Sequence, residues 1–290
     1  MPVLRAFTLI EIAISLAVIG FALVAIIGIL PSGMSVQKDN RQETIIDQDA
    51  TIFIDAIQNG AHGLDDLTNY VYSITNYYFG FGNTIDPAKR GFHTNGFTVN
   101  GSWLDGAATP TQFPINNGYR IVGLLSTPKY TDARAINKNV TFVSNYVVAY
   151  VRAMSGSATD KMPQTNPDMR DLALNYRMVS EIVPYTYFEP DWTNYTAYTN
   201  VVAPRTANDW IWRSNTWMIA RNTETNLYDF RLVFRWPLIP GNRPEPKRQI
   251  FRTMLSGSLI LTNDPYPIGS PTAAITNLYF FQPRTYVKAL

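Results

Sequence analysis

An apolar run from Phe7 to Leu30 constrains the fold of this chain more than any other feature. Its only polar side chains are Thr8, Glu11 and Ser15. As a helix with a rise of about 1.5 Å per residue, the run is about 36 Å long, which is enough to cross a hydrocarbon core of about 30 Å. A carboxylate in such a span costs roughly 2.5–3.5 kcal/mol. We therefore predict a membrane helix in which Glu11 does more than anchor the chain.

The flanks of the run favour a single-pass anchor at residues 7–30 over a removable signal peptide. Signal peptides have an apolar region of about 7–15 residues and a small-x-small cleavage site. This run is longer, and residues 29–33 offer no such site. The Pro-Ser-Gly sequence at residues 31–33 is expected to end the membrane helix. Arg5 favours a cytoplasmic N-terminus, which places the rest of the chain across the membrane.

The motif FTLIE at residues 7–11 lies between a short basic leader and the apolar helix. This arrangement, over residues 5–25, resembles the class III signal of bacterial type IV pilins and type II secretion pseudopilins. The resemblance implies that a prepilin peptidase removes the leader, residues 1–6, by cutting between Ala6 and Phe7. It also implies N-methylation of Phe7. Ala6 stands where the family usually has glycine.

The resemblance further implies assembly in the inner membrane with other pilin or pseudopilin subunits. Glu11 takes the hallmark acidic position of the family, the fifth of the mature chain. There it would pair with the cationic N-terminal amine of a neighbouring subunit and set the stagger between helices. Small residues at three-, four- and eight-residue steps would allow close helix packing, although such residues are common in any membrane helix. They are Ala13, Ala17, Gly20 and Gly28.

The composition of the remaining chain indicates a packed domain. It is aromatic and low in charge, with 17 Tyr, 15 Phe and 16% charged residues in the whole sequence. The absence of Cys excludes disulfides, thiol catalysis and Cys-based metal sites. The sequence has no run of Lys or Arg, so we expect no nucleic-acid partner.

The residues after the membrane helix predict that it continues, after an interruption near residues 31–33, as an amphipathic helix at residues 31–63. Apolar residues recur there at helical spacing, with Asp47, Asp49 and Asp55 among the polar residues between them. Gly60 and Gly63 are expected to end this helix.

Residues 64–290 predict a β-rich domain, periplasmic or exposed on a filament outside the cell. Its links are too short for crossover helices, which favours an antiparallel sheet. The fold class is therefore α+β: a long N-terminal helix, half transmembrane and half amphipathic, packed on an antiparallel sheet, as in pilins. Strands are predicted at 119–125, 142–153, 176–188, 227–236 and 249–261, a short edge at 277–281, a strand pair or loop at 68–83, an insertion at 86–117 and a Pro-rich link at 237–248.

No residues form a recognisable catalytic or metal-binding pattern. His62 and His93 lie in Gly-containing segments that read as loops, and neither has a partner at metal-ligand spacing. The sequence has no nucleophile elbow, phosphate loop or dinucleotide fingerprint. We therefore expect no enzyme activity, no catalytic residue and no cofactor. Calcium in a loop stays open, because some pseudopilins bind it, and no ligand is assigned.

Aromatic residues cluster between residues 185 and 217. They either form the core and rim of a sheet or provide a surface that stacks on sugars or binds another protein. The cluster contains Trp192, Trp210, Trp212 and Trp217, with Tyr185, Tyr187, Tyr195 and Tyr198 nearby.

These features predict a prepilin-like structural subunit of a pilus or a secretion pseudopilus. Removal of the leader, six of 290 residues, leaves about 284, which is large for a densely packed major pilin. A minor component is therefore favoured. The alternative is a membrane-anchored binding module, such as an adhesin or a sugar- or DNA-binding protein, displayed by the same helix.

Overall fold

A computed structural model describes residues 8–81, 92–98, 111–115, 117–132, 142–156, 174–185, 215, 218–220, 222–239, 243–263 and 277–286 (the described residues). The chain divides into two compact units, Met1–Asp47 and Gln48–Leu290.

The N-terminal helix, α1, extends from Leu9 to Gln58. It is long and apolar enough to cross a membrane: its most apolar window has a mean hydropathy of 2.9, and none of that window is buried. Continuous apolar surface of this extent is typical of a segment surrounded by lipid or by other apolar helices. The prediction of a long, apolar N-terminal helix is confirmed.

The predicted end of the membrane helix at residues 31–33 is wrong, because α1 continues through Pro31. Proline lacks an amide hydrogen, so the helix loses one backbone hydrogen bond at this position. Ending the helix here would instead leave up to four carbonyls and four amides without helical partners. The helix ends at Gln58, and Gly60 and Gly63 follow with φ of 55° and 82°, in keeping with the expected glycine stop.

The described residues after α1 form a short 3-10 helix, a second α-helix and a series of strands. Residues 218–220 and 222–226 are also helical. The elements are the 3-10 helix Asp65–Asn69, β1 Val71–Phe81, β2 Phe92–Thr98, β3 Thr111–Pro114, α2 Gly118–Leu125, β4 Tyr130–Asp132, β5 Phe142–Arg152, β6 Asn175–Pro184, β7 Leu227–Ile239, β8 Arg243–Ser256, β9 Ser258–Asn263 and β10 Asn277–Gln282.

The strands form an eight-stranded sheet and a separate two-stranded one. The order in the large sheet is β3-β2-β1-β5-β6-β7-β8, with β4 paired to β5. β2 and β3 pair in parallel, and all other pairs in this sheet are antiparallel. β9 and β10 form the small antiparallel sheet. A long helix followed by an antiparallel sheet confirms the α+β prediction.

Alternation along the strands places one face of the large sheet in the core. In β7 the apolar series predicted from the sequence is the buried series. The same unit holds residues 48–58 of α1, which contribute further fully buried side chains. Prominent core residues are Ala50, Phe53, Ile57, Ile74, Tyr176, Met178, Ile182, Tyr228, Phe230, Leu232 and Phe234.

The strand predicted at residues 119–125 is wrong, because this segment is helix α2. The side chain of Asn117 accepts a hydrogen bond from the Arg120 amide at 2.9 Å and so caps the first turn. Nearly all of α2 is buried. A short segment buried on most sides shows no alternation, so its apolar run does not distinguish a helix from a strand.

Two further boundaries differ from the prediction. The single run expected at 249–261 is divided at Gly257, whose φ of 122° turns the chain from β8 into β9. The Pro-rich link expected at 237–248 lies mostly inside strands, because β7 continues to Ile239 and β8 begins at Arg243. Proline is tolerated here because Pro237 lies at a register shift and Pro244 lies on an edge strand.

Other strand predictions agree with the structure. The strands at 142–153 and 227–236 and the short edge at 277–281 are confirmed, and β6 ends at Pro184. Residues 71–81 form one strand after a 3-10 helix, and the described part of the insertion contains only the short strands β2 and β3. His93 lies in β2 and not in a loop.

Candidate functional site

The first turn of α1 is closed by a reciprocal pair of side chains. The Thr8 amide donates to Oε2 of Glu11 at 2.8 Å, and the Thr8 hydroxyl donates to the same oxygen at 2.9 Å. The Glu11 amide points back to Oγ1 of Thr8 at 3.4 Å. This arrangement is a capping box, which satisfies amides that the helix itself leaves without acceptors. The signature Thr-x-x-Glu before an apolar run was present in the sequence, but the sequence analysis missed it.

The capping box uses only one of the two carboxylate oxygens of Glu11. Within the described part of the chain, no hydrogen bond reaches Oε1. Both Glu11 and Thr8 are exposed. The carboxylate is therefore oriented by its own helix, and its second oxygen can accept a hydrogen bond from a cation outside this chain.

The third polar side chain of the apolar run is also satisfied locally. The Ser15 hydroxyl donates to the Glu11 carbonyl at 2.7 Å, one helical turn back. Hydroxyl groups bonded in this way need no partner from lipid or from a second helix. Among the side chains of Thr8, Glu11 and Ser15, Oε1 of Glu11 is thus the acceptor left without a hydrogen bond in the described part of the chain.

The small residues proposed for packing lie on the exposed surface of α1. A Cβ atom added at Gly20 or Gly28 would meet nothing within 4 Å. The fold of a single chain therefore gives no steric reason for glycine at these positions. Ala13 and Ala17 are likewise exposed, and Ala6 and Phe7, the residues of the expected cut, lie outside the described residues.

A buried carboxylate in the second unit connects α1 to the large sheet. Oδ2 of Asp49 accepts from the Met154 amide at 2.9 Å and from the Tyr176 hydroxyl at 3.0 Å. Asp49 is 0% exposed. Burial raises the pKa of Asp49, and the hydrogen bonds from Met154, Ser155 and Tyr176 lower it by less. Burial and the negative charge of Asp49 raise the pKa of Tyr176 well above its ordinary value.

The sequence analysis placed Asp49 among the polar residues between the apolar positions of the helix, and the structure places it in the core. Its partners are 105 and 127 residues away in sequence, so no local pattern indicates them. Each of these hydrogen bonds holds one element to another, so the cluster is a structural connection.

Five charged side chains form a network on the opposite face of the sheet. Asp229 accepts from Arg231 at 2.8 Å and from Arg252 at 2.7 Å. Glu181 pairs with Lys129 and lies 3.9 Å from Arg231. The hydrogen bond from Arg252 is the largest cause that holds the pKa of Asp229 below its ordinary value. Opposite charges meet across neighbouring strands here, which stabilises the pairing of β6, β7 and β8.

The remaining candidates are the histidines, possible metal ligands and the aromatic cluster. His62 stacks on both Tyr119 and Phe280, with ring centroids 5.1 and 4.7 Å away. In the described part of the chain, no three His, Asp or Glu side chains are grouped so that they could hold a metal ion. Of the aromatic cluster, Tyr185 is described and 57% exposed, and the other members lie outside the described residues.

Comparison with family models, curated proteins and solved structures found no match to this chain.

Proposed function

We propose that this chain is a prepilin-like structural subunit that is processed before Phe7. It assembles through α1 into a pilus or a secretion pseudopilus, most consistently as a minor component. The observation that carries the proposal is the Thr8–Glu11 capping box at the start of a helix whose most apolar window is unburied.

The box prepares Glu11 for a cation at the membrane surface. A cut before Phe7 creates a cationic amine one residue before Thr8. Oε2 of Glu11 is already held by Thr8, so Oε1 could accept from a neighbouring amine without a change of rotamer. Two buried charges that pair cost less than either charge alone, which favours one relative stagger of adjacent helices.

The exposed surface of α1 supports the same proposal. Its large apolar side chains, from Leu9 to Val36, are more than half exposed. In a bilayer this surface contacts lipid, and in a filament it would contact the helices of other copies. The open space at Gly20 and Gly28 would let two backbones approach closely.

Processing is tested by mass spectrometry of the N-terminus of protein recovered from bacterial membranes. We expect a chain that begins at N-methylated Phe7. An intact Met1, or a cut after Leu30, would contradict the proposal. Ala6→Gly restores the usual family residue and should yield the same N-terminus. A bulky residue at the cut, as in Ala6→Leu, should leave the leader attached, which provides the matched control.

A further inference from the structure

A row of arginines crosses the face of the large sheet opposite to Tyr176, Met178 and Phe234. Arg177 on β6 is paired with Arg235 on β7, and Arg235 is paired with Arg248 on β8. Direct cross-strand neighbours have Cβ atoms about 5 Å apart. Arg235 and Arg248 are exposed, and Arg177 is half-buried. We name these three residues the arginine row.

A second pair of arginines on the same sheet face is neutralised by a carboxylate. Four residues along the strands, Arg231 and Arg252 are also direct partners, and Asp229 bonds to both. The arginine row has no such carboxylate among the described residues: none forms an ion pair with any of its members. Like charges directly opposite each other destabilise a sheet. The row therefore lacks the compensation that the neighbouring pair receives.

Arg177 adds a second sign of an absent partner. Its Nε atom is buried and has no hydrogen-bond partner among the described residues. Its Nη2 atom makes only a long contact, 3.5 Å, with the Tyr146 hydroxyl. A guanidinium group presents donors in a fork that matches a carboxylate, so the exposed side chains of Arg235 and Arg248 can each pair with a carboxylate from outside this chain.

The chain itself carries a matching series of carboxylates on α1. Asp39, Glu43 and Asp47 follow each other at four-residue steps, which brings them to one flank of the helix. Glu43 and Asp47 are exposed and Asp39 is partly exposed. The cations Lys38 and Arg41 fall on the other flank at 100° per residue. We name these three acids the acidic flank.

The two series have similar lengths. Eight residues of helix span about 12 Å. Three neighbouring strands span about 10 Å from first to last. Three carboxylates can therefore lie opposite three guanidinium groups when a helix crosses the strands.

We infer that the arginine row of one copy binds the acidic flank of a second copy. The inference rests on the proposed function, because it names a contact through which assembled subunits hold each other outside the membrane span. Charge complementarity within one sequence selects a second copy as the occupant. Interaction strength would fall as salt concentration rises, because the contact lies at an exposed surface.

The absence of Cys allows the contact to be mapped by cross-linking between single introduced cysteines. Full-length Arg235→Cys and Glu43→Cys chains with different tags are co-expressed and treated in the membrane with a short bismaleimide, which bridges the gap left by the two long side chains. We expect a cross-linked dimer that carries both tags. Ser256→Cys, exposed on the same strand as Arg248 and about 26 Å from it, should give no such dimer with Glu43→Cys.

A charge exchange tests the same contact without cysteine chemistry at the row. Arg235→Glu should weaken association of the copies at least about tenfold, because like charges then face each other. Adding Glu43→Arg to the second copy should restore it. Association that is unchanged by Arg235→Glu, or a double exchange that fails to recover it, would overturn the inference.

A third cysteine pair separates this inference from the proposed function. Leu16→Cys lies on the exposed surface of the apolar helix and reports assembly through α1. Dimers through Leu16→Cys without dimers between Arg235→Cys and Glu43→Cys would overturn the inference and leave the proposed function standing. No dimer at either position in processed protein would overturn both.

Discussion

Glu11 acts on its own helix. The capping box with Thr8 gives the side chain a structural task that a lone charge in a membrane helix would not have. Glutamine also serves at this position of a capping box, because its amide oxygen accepts the same hydrogen bonds. The capping task and the charge can therefore be separated by substitution.

We predict that Glu11→Gln inserts into the membrane as the natural chain does and yet fails to assemble. The substitution keeps an acceptor for Thr8 and removes the charge that would attract a neighbouring amine. Thr8→Val is the matched control: it removes the cap, worth about 1 kcal/mol, and keeps the charge. Cross-linking between Leu16→Cys copies measures assembly. Normal cross-linking of Glu11→Gln would show that Glu11 is only a cap.

Asp49 differs from Glu11, because Asp49 stabilises the fold through the hydrogen bonds that its side-chain oxygen accepts. Asp49→Leu would leave the Met154 amide and the Tyr176 hydroxyl buried without an acceptor. Each such group costs about 1–3 kcal/mol. We expect a large fall in the denaturation midpoint of the full chain in detergent. Asp55→Leu, at an exposed acid of the same helix, should change the midpoint little.

At the scale of elements, periodicity predicted those parts of the fold in which burial is one-sided. β7 alternates between core and surface, and its pattern showed in the sequence. α2 is buried on most sides and was mistaken for a strand. The continuation of α1 through Pro31 was also not predicted. The low helix preference of proline reflects the loss of one backbone hydrogen bond, whereas a helix end leaves several amides and carbonyls without helical partners.

The junction of β8 and β9 offers a test of backbone conformation. Gly257 has φ of 122°, and a Cβ atom there would approach the Gln282 carbonyl oxygen to 2.5 Å. We predict that Gly257→Ala destabilises the chain by about 1–3 kcal/mol. Gly63 has φ of 82° and nothing within 4 Å of an added Cβ. Gly63→Ala should therefore cost less, and equal losses in thermal unfolding would contradict the role given to the Gln282 contact.

At the scale of the whole molecule, two carboxylates make stability depend on pH in opposite directions. The pKa of Asp229 is lowered from 3.8 in the folded chain, so its contribution is present above that value and is lost as pH falls through the folded pKa. The pKa of Asp49 is raised from 3.8, so its contribution is greatest below that value and declines as pH rises through the folded pKa.

Asp229→Asn should flatten the loss of stability on the acid side of the pH profile. The substitution removes the group whose ion pairs with Arg231 and Arg252 disappear on protonation. Denaturation midpoints of the full chain in detergent across a series of acidic buffers measure the effect. Asp66→Asn, at an exposed acid, serves as the control. An unaltered acid slope in Asp229→Asn would show that the network does not control acid stability.

The candidate sites differ in how far the sequence could reveal them. The Thr8–Glu11 pair is three residues apart and can be recognised from spacing alone. The arginine row combines residues 177, 235 and 248, which only strand register brings together. No run of basic residues marks it, and so a search for charge runs along the sequence missed it.

The hydrogen bonds that the Thr8 and Ser15 hydroxyls make within α1 affect the chain as a single, unassembled copy. An apolar helix whose hydroxyl groups are hydrogen-bonded within the helix is stable in lipid as a single copy. Each such copy keeps one carboxylate oxygen of Glu11 without a hydrogen bond from the described residues. Under the proposed function, each removal of a leader creates one cationic amine, so the rate of leader removal would set how fast single copies join an assembly.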